Sequence, residues 1–371
     1  MPSRNGENYL KALILAGGFA TRLRPLSCTR PKILFPILNK PLLQWTYERL
    51  AKHSIREAVL AINYQTRAAI KQQRIPRNEV TVKYSLDPAR KPLGSGGPIK
   101  KAEKLIGHDS PFLVLNGDIF ANVDYTEIIR RHREGKAVAT ITLTEVEDPR
   151  RYGVADLAED GRITKFIEKP KKGEAPSNLI NAGVYVLSPK IFDYLPREKK
   201  VSIERDVFTK LAEEGKLYGH VIHDLWFDIG KPQDYLQIHT TLLKSFTNQH
   251  QPKIQNKAQI RHPVTFDLGV SIGKGSVIGP NVVVGKNVKI EDDVHIRDSV
   301  ILPYTEISQS TTIEGAIIGD SVTIGKNAKI SKGCILGDHV RIGDRVTLAR
   351  DVSICPAKEV SKNVLTPKNI C

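Results

Sequence analysis

The C-terminal part of the chain repeats aliphatic residues with a period of six. Aliphatic side chains recur at every sixth position from Ile272 to Leu302 and again from Ile318 to Ile354, and glycine often follows them. This period is neither that of a helix nor the alternation of a single strand. It is typical of a parallel β-helix, in which each hexad forms one face of a triangular coil. The sequence predicts about five such coils over residues 263–371, with one-residue deletions near Leu302 and before Ile318.

The preceding part alternates short apolar runs with helical patterns. Apolar runs end at Leu15, Ile62 and Leu115, and an amphipathic or basic segment lies between each run and the next. This alternation predicts an α/β domain over residues 1–246, with a Rossmann-like mixed, mostly parallel sheet. The polar residues 247–262 predict a linker. In such sheets, ligands bind at the carboxyl ends of the strands.

The composition restricts the class of partner. The 371 residues carry a net charge of +16, which nucleic acid could explain. However, the bases are spread along the chain without interleaved aromatic residues. Small anionic substrates explain the charge more simply, so we expect no nucleic acid partner. No apolar run is long enough to cross a membrane, and we expect no membrane partner.

The cysteines and the N-terminus predict a cytoplasmic protein. The four cysteines are scattered without a C-x-x-C pair, and the first residues are polar. We therefore expect reduced thiols, no zinc site and no signal peptide. The cysteines are Cys28, Cys334, Cys355 and Cys371.

The segment from Leu15 to Lys32 combines glycines with cations. A predicted strand ends at Ala16-Gly17-Gly18, and cations follow with no acidic residue among them. Glycine lets a ligand approach the backbone, whose exposed N–H groups bind anions. The spacing fits neither the P-loop pattern nor G-x-G-x-x-G. The segment therefore predicts a polyphosphate site of another kind.

Two aspartates each end an apolar strand. Asp118 follows Gly117 after one strand, and Asp228 closes Trp226-Phe227-Asp228. Carboxylates that converge on a phosphate site hold Mg²⁺, a hard cation that prefers oxygen ligands. The pair predicts magnesium as the cofactor.

The Gly17–Lys32 run resembles the signature of sugar-1-phosphate nucleotidylyltransferases, and residues 11–245 are similar to that family in order. The resemblance implies that Arg22 and Lys32 contact the triphosphate, with Asp118 and Asp228 on the metal. It implies nucleotide binding by Ala16, Gly17, Gly18, Thr21, Pro92, Gly94 and Gly117. It implies sugar-phosphate binding by Tyr152, Gly153, Glu168, Lys169 and Asn181.

The resemblance also implies a reaction. The sugar 1-phosphate attacks the α-phosphorus of a nucleoside triphosphate and expels pyrophosphate. The wording Pro92-Leu93-Gly94-Ser95-Gly96-Gly97-Pro98 is closest to the guanylyl branch, which implies GTP and mannose 1-phosphate. Other nucleotide sugars, of the UDP-glucose, dTDP-glucose or UDP-N-acetylglucosamine type, stay open.

Two further interpretations belong to other classes. Hexapeptide β-helices often acetylate sugars, but His262, His295 and His339 lie in no recognisable acyltransferase motif. A non-catalytic regulatory homologue is the other, although the expected cations and aspartates are all present. The resemblance implies a left-handed coil. Stacked coils offer flat faces and open ends, which predicts a homo-oligomer formed through the β-helix.

Overall fold

The structure is a computed structural model. It describes residues 10–18, 20–88, 92–135, 137–197, 199–245, 252–255 and 257–371. Parts of the predicted domains and linker, at residues 1–9, 246–251 and 256, lie outside these residues, as does Lys91. The described chain divides into two compact units. The first comprises residues up to Gly18 with Leu42–Asp228, and the second comprises residues of Phe19–Pro41 with Ile229–Cys371.

The first unit is built on a mixed β-sheet. The sheet has the order β10-β9-β11-β6-β1-β4-β5, and β8 and β12 continue it from β11. The strands up to residue 228 are β1 (Lys11–Leu15), β2 (Pro36–Ile37), β3 (Lys40–Pro41), β4 (Glu57–Ile62), β5 (Thr81–Leu86), β6 (Phe112–Asn116), β7 (Ile119–Ala121), β8 (Ala139–Glu145), β9 (Gly153–Leu157), β10 (Ile163–Glu168), β11 (Leu179–Leu187), β12 (Leu217–Val221) and β13 (Trp226–Asp228). Of these, β2 and β3 belong to the second unit.

Short helices connect the strands. They are α1 (Leu42–Lys52), α2 (Tyr64–Gln73), α3 (Gly96–Lys101), α4 (Glu103–Ile106), α5 (Tyr125–Glu134), α6 (Thr209–Glu213) and α7 (Pro232–Leu243). Shorter helical turns cover Thr21–Leu23, Leu26–Cys28, Lys32–Leu34, Pro149–Arg151, Pro189–Tyr194 and Ile203–Phe208. The predicted helix over 99–105 is interrupted, because α3 ends at Lys101 and α4 begins at Glu103.

The central strands place several strand ends at one edge of the sheet. β1 pairs in parallel with β4 on one side and with β6 on the other, and β4 pairs in parallel with β5. Of these strands, β1, β4 and β6 are rich in buried aliphatic residues, as expected where helices cover a parallel sheet. Their carboxyl ends lead into Ala16, Asn63, Asp87 and Gly117. The predicted α/β class is confirmed.

The second unit contains a parallel β-helix. In the part of the chain that the structure describes, its short strands form three parallel sheets. They are β14 (Lys253–Ile254), β15 (Gln259–Ile260), β16 (Val264–Phe266), β17 (Ser271–Ile272), β18 (Val277–Ile278), β19 (Val282–Val284), β20 (Lys289–Ile290), β21 (His295–Arg297), β22 (Val300–Ile301), β23 (Glu306–Ile307), β24 (Thr312–Glu314), β25 (Ile317–Ile318), β26 (Thr323–Ile324), β27 (Lys329–Ile330), β28 (Ile335–Leu336), β29 (Arg341–Ile342), β30 (Thr347–Leu348), β31 (Ser353–Ile354), β32 (Glu359–Val360) and β33 (Asn369–Ile370).

The register of the coils explains the period of six. Val277 lies opposite His295, which is an offset of 18 residues, whereas Val283 lies opposite Val300, an offset of 17. The predicted deletion therefore exists, and it falls before Ile301, which continues the buried row in place of Leu302. The period is confirmed because the repeating aliphatic residues form one continuous core.

The parallel pairing begins before the predicted start of the β-helix. β14 pairs with β17 and β15 pairs with β18, so two strands lie inside the range 247–262. The sequence period did not reveal them, because Lys253, Ile254 and Gln259 are exposed or polar and carry no buried row. The coils consequently extend beyond the five that the repeat predicts.

The expectation of reduced cysteines is wrong at the end of the coil. β31 pairs in parallel with β33, which places the next residues, Cys355 and Cys371, side by side with their Cα atoms 4.7 Å apart. The two form a disulfide, while Cys28 and Cys334 are free. The pairing depends on a shortened last connection that no cysteine spacing reveals.

No helix in the described ranges is long and apolar enough to cross a membrane.

Candidate active site

Backbone hydrogen bonds fix the loop that follows β1. The Ala16 amide donates to the carbonyl of Ala61 at 2.9 Å, and the Gly117 amide donates to the carbonyl of Leu15 at 2.8 Å. The Asn63 side-chain amide donates to the carbonyl of Gly17 at 3.3 Å. The ends of β1, β4 and β6 are therefore tied to one another at the predicted nucleotide edge.

The three glycines at this edge of the sheet differ in how closely other atoms surround them. A Cβ on Gly117 would lie 2.8 Å from the Cβ of Ala16, and a Cβ on Gly17 would lie 2.6 Å from Oδ2 of Asp87. Gly117 also approaches the backbone of Leu15 and needs glycine for packing alone, whereas at Gly17 the close atom is the end of a side chain. Gly18 has nothing within 4 Å of its Cβ position and is exposed. Its backbone is open to a ligand.

Asp87 is a further candidate site residue, which the sequence motifs did not indicate. It directly follows β5, and its Oδ2 faces Gly17. Its Oδ1 is buried and has no hydrogen-bond partner among the described residues. Burial raises the pKa of the Asp87 carboxyl, and the charge of Lys101 opposes the shift. An aspartate after a parallel strand, at the same edge as Gly17, was the available signal.

The structure places the backbone positions of Asp118 and Asp228 near each other. β13 pairs antiparallel with β7, and Asp228 lies opposite Ile119, the residue after Asp118. Asp118 directly precedes β7 and is thus one residue from the position opposite Asp228. In the ranges that the structure covers, no cluster of three or more His, Cys, Asp or Glu residues could hold a metal. Two carboxylates suit Mg²⁺, which is usually held by one or two carboxylates and substrate phosphates.

Gly153, Glu168 and Lys169 meet at the end of the β9–β10 pair. Gly153 lies opposite Glu168, and a Cβ on Gly153 would lie 2.9 Å from Oε2 of Glu168. The ammonium of Lys169 lies 3.4 Å from Oε1 of Glu168. Burial and then the nearby charge of Glu204 raise the pKa of the Glu168 carboxyl, against Lys169. This half-buried carboxylate can accept hydrogen bonds from hydroxyl groups, and the exposed ammonium can bind an anion.

Asn181 belongs to a buried amide and phenol network. Its Nδ2 donates to the Tyr185 hydroxyl at 3.0 Å, and Asn116 Nδ2 donates to the same oxygen at 3.2 Å. Its Oδ1 accepts from the Gly183 amide at 2.9 Å. Both ends of the Asn181 side chain are thus already bonded within the protein. Its predicted contact with a sugar hydroxyl would use the second lone pair of Oδ1.

Tyr152 packs against the strand that carries Asp228. Its ring lies 5.5 Å from that of Trp226 in an edge-on arrangement. The Trp226 indole N–H donates to the carbonyl of Ala182 at 2.9 Å. These contacts link the predicted sugar-phosphate residues to the predicted metal strand.

The loop of Pro92 and Gly94 has a structural role of its own. Gly94 has a φ of 74° and forms a bridge to Val201, and a Cβ on it would lie 2.2 Å from the Val201 carbonyl oxygen. This close approach requires glycine whether or not a ligand binds. Pro92 is exposed beside it. The structure therefore gives Gly94 a packing reason that the sequence did not show.

Thr21, Arg22 and Lys32 belong to the second unit. Thr21–Leu23 is a single helical turn that follows Ala20, a residue in the left-handed region with a φ of 47°. Thr21 and Arg22 are exposed, and Lys32 is half-buried at the start of its own turn. The first unit holds all the other predicted site residues.

A groove elsewhere in the first unit contains none of the predicted residues. It has a volume of about 1110 Å³ and is lined by His108, Ser188, Lys190 and Lys216 among others. Its residues precede β6 and β8 and follow β11, so it lies at the opposite edge of the sheet from Gly17.

Two family models match the chain, one over each of its parts. Residues 11–245 match the family described as Nucleotidyl transferase, and residues 260–370 match the GMPPB C-terminal domain. The chain is 35% identical to mannose-1-phosphate guanylyltransferase 1 of Arabidopsis thaliana, over 97% of this chain and 99% of that protein. It is 34% identical to the mannose-1-phosphate guanylyltransferase catalytic subunit beta of Danio rerio, over 97% and 100%.

Solved structures match the first part of the chain. HddC from Yersinia pseudotuberculosis, also solved in complex with GMP-PN, is 32% identical with a TM-score of 0.53, and the match covers 62% of this chain and 97% of that one. A UDP-glucose pyrophosphorylase complexed with UDP-glucose, 24% identical with a TM-score of 0.54, covers 64% of this chain and 99% of that one, and shares the fold. The chain therefore belongs to the nucleotidyl transferase family of sugar-1-phosphate nucleotidyltransferases and carries their GMPPB-type C-terminal domain.

Proposed function

We propose that the protein transfers a guanylyl group from GTP to mannose 1-phosphate and releases pyrophosphate. The observation that carries this proposal is the register of β13 and β7, which places Asp118 one residue from the position opposite Asp228. The named activity of the near full-length relatives supports the choice of substrates.

The chemistry needs positioning and charge neutralisation. An oxygen of mannose 1-phosphate attacks the α-phosphorus, and the bond between that phosphorus and the bridging oxygen of pyrophosphate breaks. A phosphate monoester has a second pKa near ~6, so this nucleophile is ionised at pH 7 and needs no general base. Asp118 and Asp228 would hold Mg²⁺, which supplies positive charge to the phosphates when bound. Arg22 and Lys32 are the proposed cationic side chains for the triphosphate.

The first unit supports a preference for guanine. Oδ2 of Asp87 faces Gly17, and its buried Oδ1 has no hydrogen-bond partner among the described residues. Guanine presents two adjacent donors, N1–H and N2–H₂, which a carboxylate accepts as a pair. We propose that Asp87 accepts these donors, while Ala16, Gly17 and Gly18 contribute backbone groups. Thr21, Pro92, Gly94 and Gly117 complete the proposed nucleotide-binding set.

The proposed binding site for the sugar phosphate lies where the β9–β10 pair ends, at Gly153 and Glu168, together with the residues around it. Lys169 is exposed and cationic, which suits the phosphate, and Glu168 offers carboxylate oxygens to sugar hydroxyls. Tyr152, Gly153 and Asn181 form the surrounding surface.

We also propose a cytoplasmic homo-oligomer that assembles through the β-helix. The proposed catalytic domain comprises residues 1–246, and residues 247–262 lead into the β-helix domain at 263–371. The disulfide of Cys355 and Cys371 is unusual for a reducing compartment. Alkylation and mass spectrometry of protein taken directly from its own cells measure whether the two thiols are bonded there.

A panel of substrates tests the reaction. Purified protein is incubated with Mg²⁺ and each of GTP, ATP, UTP and dTTP, against mannose, glucose and N-acetylglucosamine 1-phosphates, and pyrophosphate is measured. We expect the highest kcat/KM with GTP and mannose 1-phosphate. A higher value with a different pair would replace the substrates, and no release with any pair would defeat the enzyme interpretation. Acetyl transfer from acetyl-CoA, assayed in parallel, tests the acyltransferase alternative.

A further inference from the structure

The segment that carries Arg22 and Lys32 is bonded to the β-helix. Both are cations of the proposed reaction, and Thr29 and Arg30 lie between them in the sequence. The hydroxyl of Thr29 donates to Oδ2 of Asp338 at 2.6 Å. These two residues are 309 positions apart and belong to the same compact unit.

Arg30 adds charge to the same contact. Its Nη2 lies 3.5 Å from Oδ2 of Asp320 and 3.7 Å from Oδ2 of Asp338. The three side chains are largely buried, with exposed fractions of 13% for Arg30, 23% for Asp320 and 8% for Asp338. A buried carboxylate that is paired with a guanidinium and a hydroxyl fixes its partners more strongly than an exposed pair does.

The coil itself needs only one oxygen of Asp338. Oδ1 of Asp338 accepts the Asp320 amide at 2.8 Å, across one coil. Asp292 and Asp344 accept the amides of Lys274 and Lys326 at equivalent corners, also at 2.8 Å, and both are exposed. Capping a corner is therefore a repeated structural role. Oδ2 of Asp338 has a further role, because it accepts the hydrogen bond from Thr29 in the segment that carries Arg22 and Lys32.

The same segment has a second attachment after Lys32. The Tyr235 hydroxyl donates to the carbonyl of Pro36 at 2.6 Å, and the rings of Phe35 and Tyr235 lie 5.8 Å apart. Tyr235 is buried in α7. With Thr29 held by Asp338 and Pro36 held by α7, the backbone at Lys32 is fixed from both sides.

We propose that Asp338, assisted by Asp320, is a positioning residue for the reaction: the β-helix holds Thr29 and Arg30 so that Arg22 and Lys32 are set for the triphosphate. This rests on the proposed function. The carboxylate acts through the segment and touches no substrate. A misplacement of about 1 Å is enough to cost 10²-fold in rate when catalysis depends on orientation.

The experiment compares Asp338→Asn and Thr29→Val with the control Asp344→Asn. Asp344 caps an equivalent corner of the coil, but among the described residues it does not contact the segment that carries Arg22 and Lys32. We measure kcat and KM for pyrophosphate release, Tm, and hydrogen exchange of peptides that cover residues 20–35. We expect Asp338→Asn and Thr29→Val each to lower kcat about 10-fold and to speed exchange in these peptides. The double variant should lose little more than the larger single loss, because Asp338→Asn already weakens the bond that Thr29→Val removes by taking the charge from its acceptor.

The control separates positioning from coil stability. Asp344→Asn should lower Tm no more than Asp338→Asn does, and it should leave kcat within about twofold. An equal fall in kcat for Asp344→Asn, or unchanged exchange and kcat in Asp338→Asn and Thr29→Val, would overturn the proposal. If the wild-type protein releases no pyrophosphate with any substrate pair, the proposed function fails, and faster exchange at residues 20–35 still decides whether the attachment exists.

Discussion

Replacing Asp87 by asparagine should change which nucleotide the protein prefers. The Asp87→Asn side chain keeps one acceptor oxygen but turns an amide N–H₂ toward a donor of guanine. In the part of the chain that the structure describes, Oδ1 is buried without a hydrogen-bond partner, and in the proposed complex the base supplies this bond. A hydrogen bond to a charged group contributes about 1.5–3 kcal/mol. We therefore expect kcat/KM for GTP to fall about 10- to 150-fold.

The assay measures kcat/KM for GTP and for ATP with mannose 1-phosphate. Adenine places an acceptor at N1, so the substitution should leave the value for ATP unchanged or raise it. The ratio of the two nucleotides then reports base recognition and not general damage. Asp193→Asn is the matched control, since Asp193 is exposed and lies at the opposite edge of the sheet, beside the groove.

An equal fall for GTP and ATP would refute the reasoning, because it would show that Asp87 supports the site without reading the base. A GTP value within about twofold of the wild type would refute it as well, since the unpartnered oxygen would then contribute no hydrogen bond to the nucleotide.

Two further predictions concern stability. Gly94→Ala should lower Tm and destabilise the first unit by about 2 kcal/mol or more, because its Cβ would meet the Val201 carbonyl in a left-handed backbone; an unchanged Tm would contradict this contact. Burial lowers the pKa of His239 to about 4, so between about pH 6.5 and 4 the unfolded chain binds a proton that the native chain does not. The free energy of unfolding should therefore decrease as the pH is lowered through this window, by up to about 3 kcal/mol. Urea unfolding at pH 7 and pH 4.5 measures it, and the same loss in His239→Gln would contradict the assignment.

The elements were predictable where one local pattern determines them. The aliphatic row from Ile272 to Ile354 specifies the β-helix, because each hexad must bury one face of the coil. The apolar runs that end at Leu15 and Asn116 are buried on both faces, as a parallel sheet requires. For such segments the hydrophobic period and the tertiary packing agree.

The long-range contacts were not predictable from local patterns. In the sequence Asp87 is one of several aspartates that follow a strand, and only the structure shows that it lies next to Gly17. The bond between Thr29 and Asp338 joins a loop to a coil corner, and no periodicity links positions so far apart. The assignment of residues 19–41 to the same unit as the β-helix is likewise a result of packing.

The disulfide shows the same limit. The period of six places strands but does not show where the last connection shortens, so Cys355 and Cys371 appeared unrelated. The register of β31 and β33 brings them together. Residue roles at the candidate site stay predictions, although Asp118 lies one residue from the position opposite Asp228.

The most direct test of the central claim is Mg²⁺-dependent pyrophosphate release from GTP and mannose 1-phosphate by the wild type, Asp118→Asn and Asp228→Asn. Removing one such electrostatic group typically costs ~10²–10³ in rate. We predict that each variant loses kcat by about this factor while its Tm stays within a few degrees of the wild type. Near-normal turnover in both variants would contradict the account, because the two aspartates at the β7–β13 ladder would then not serve the reaction.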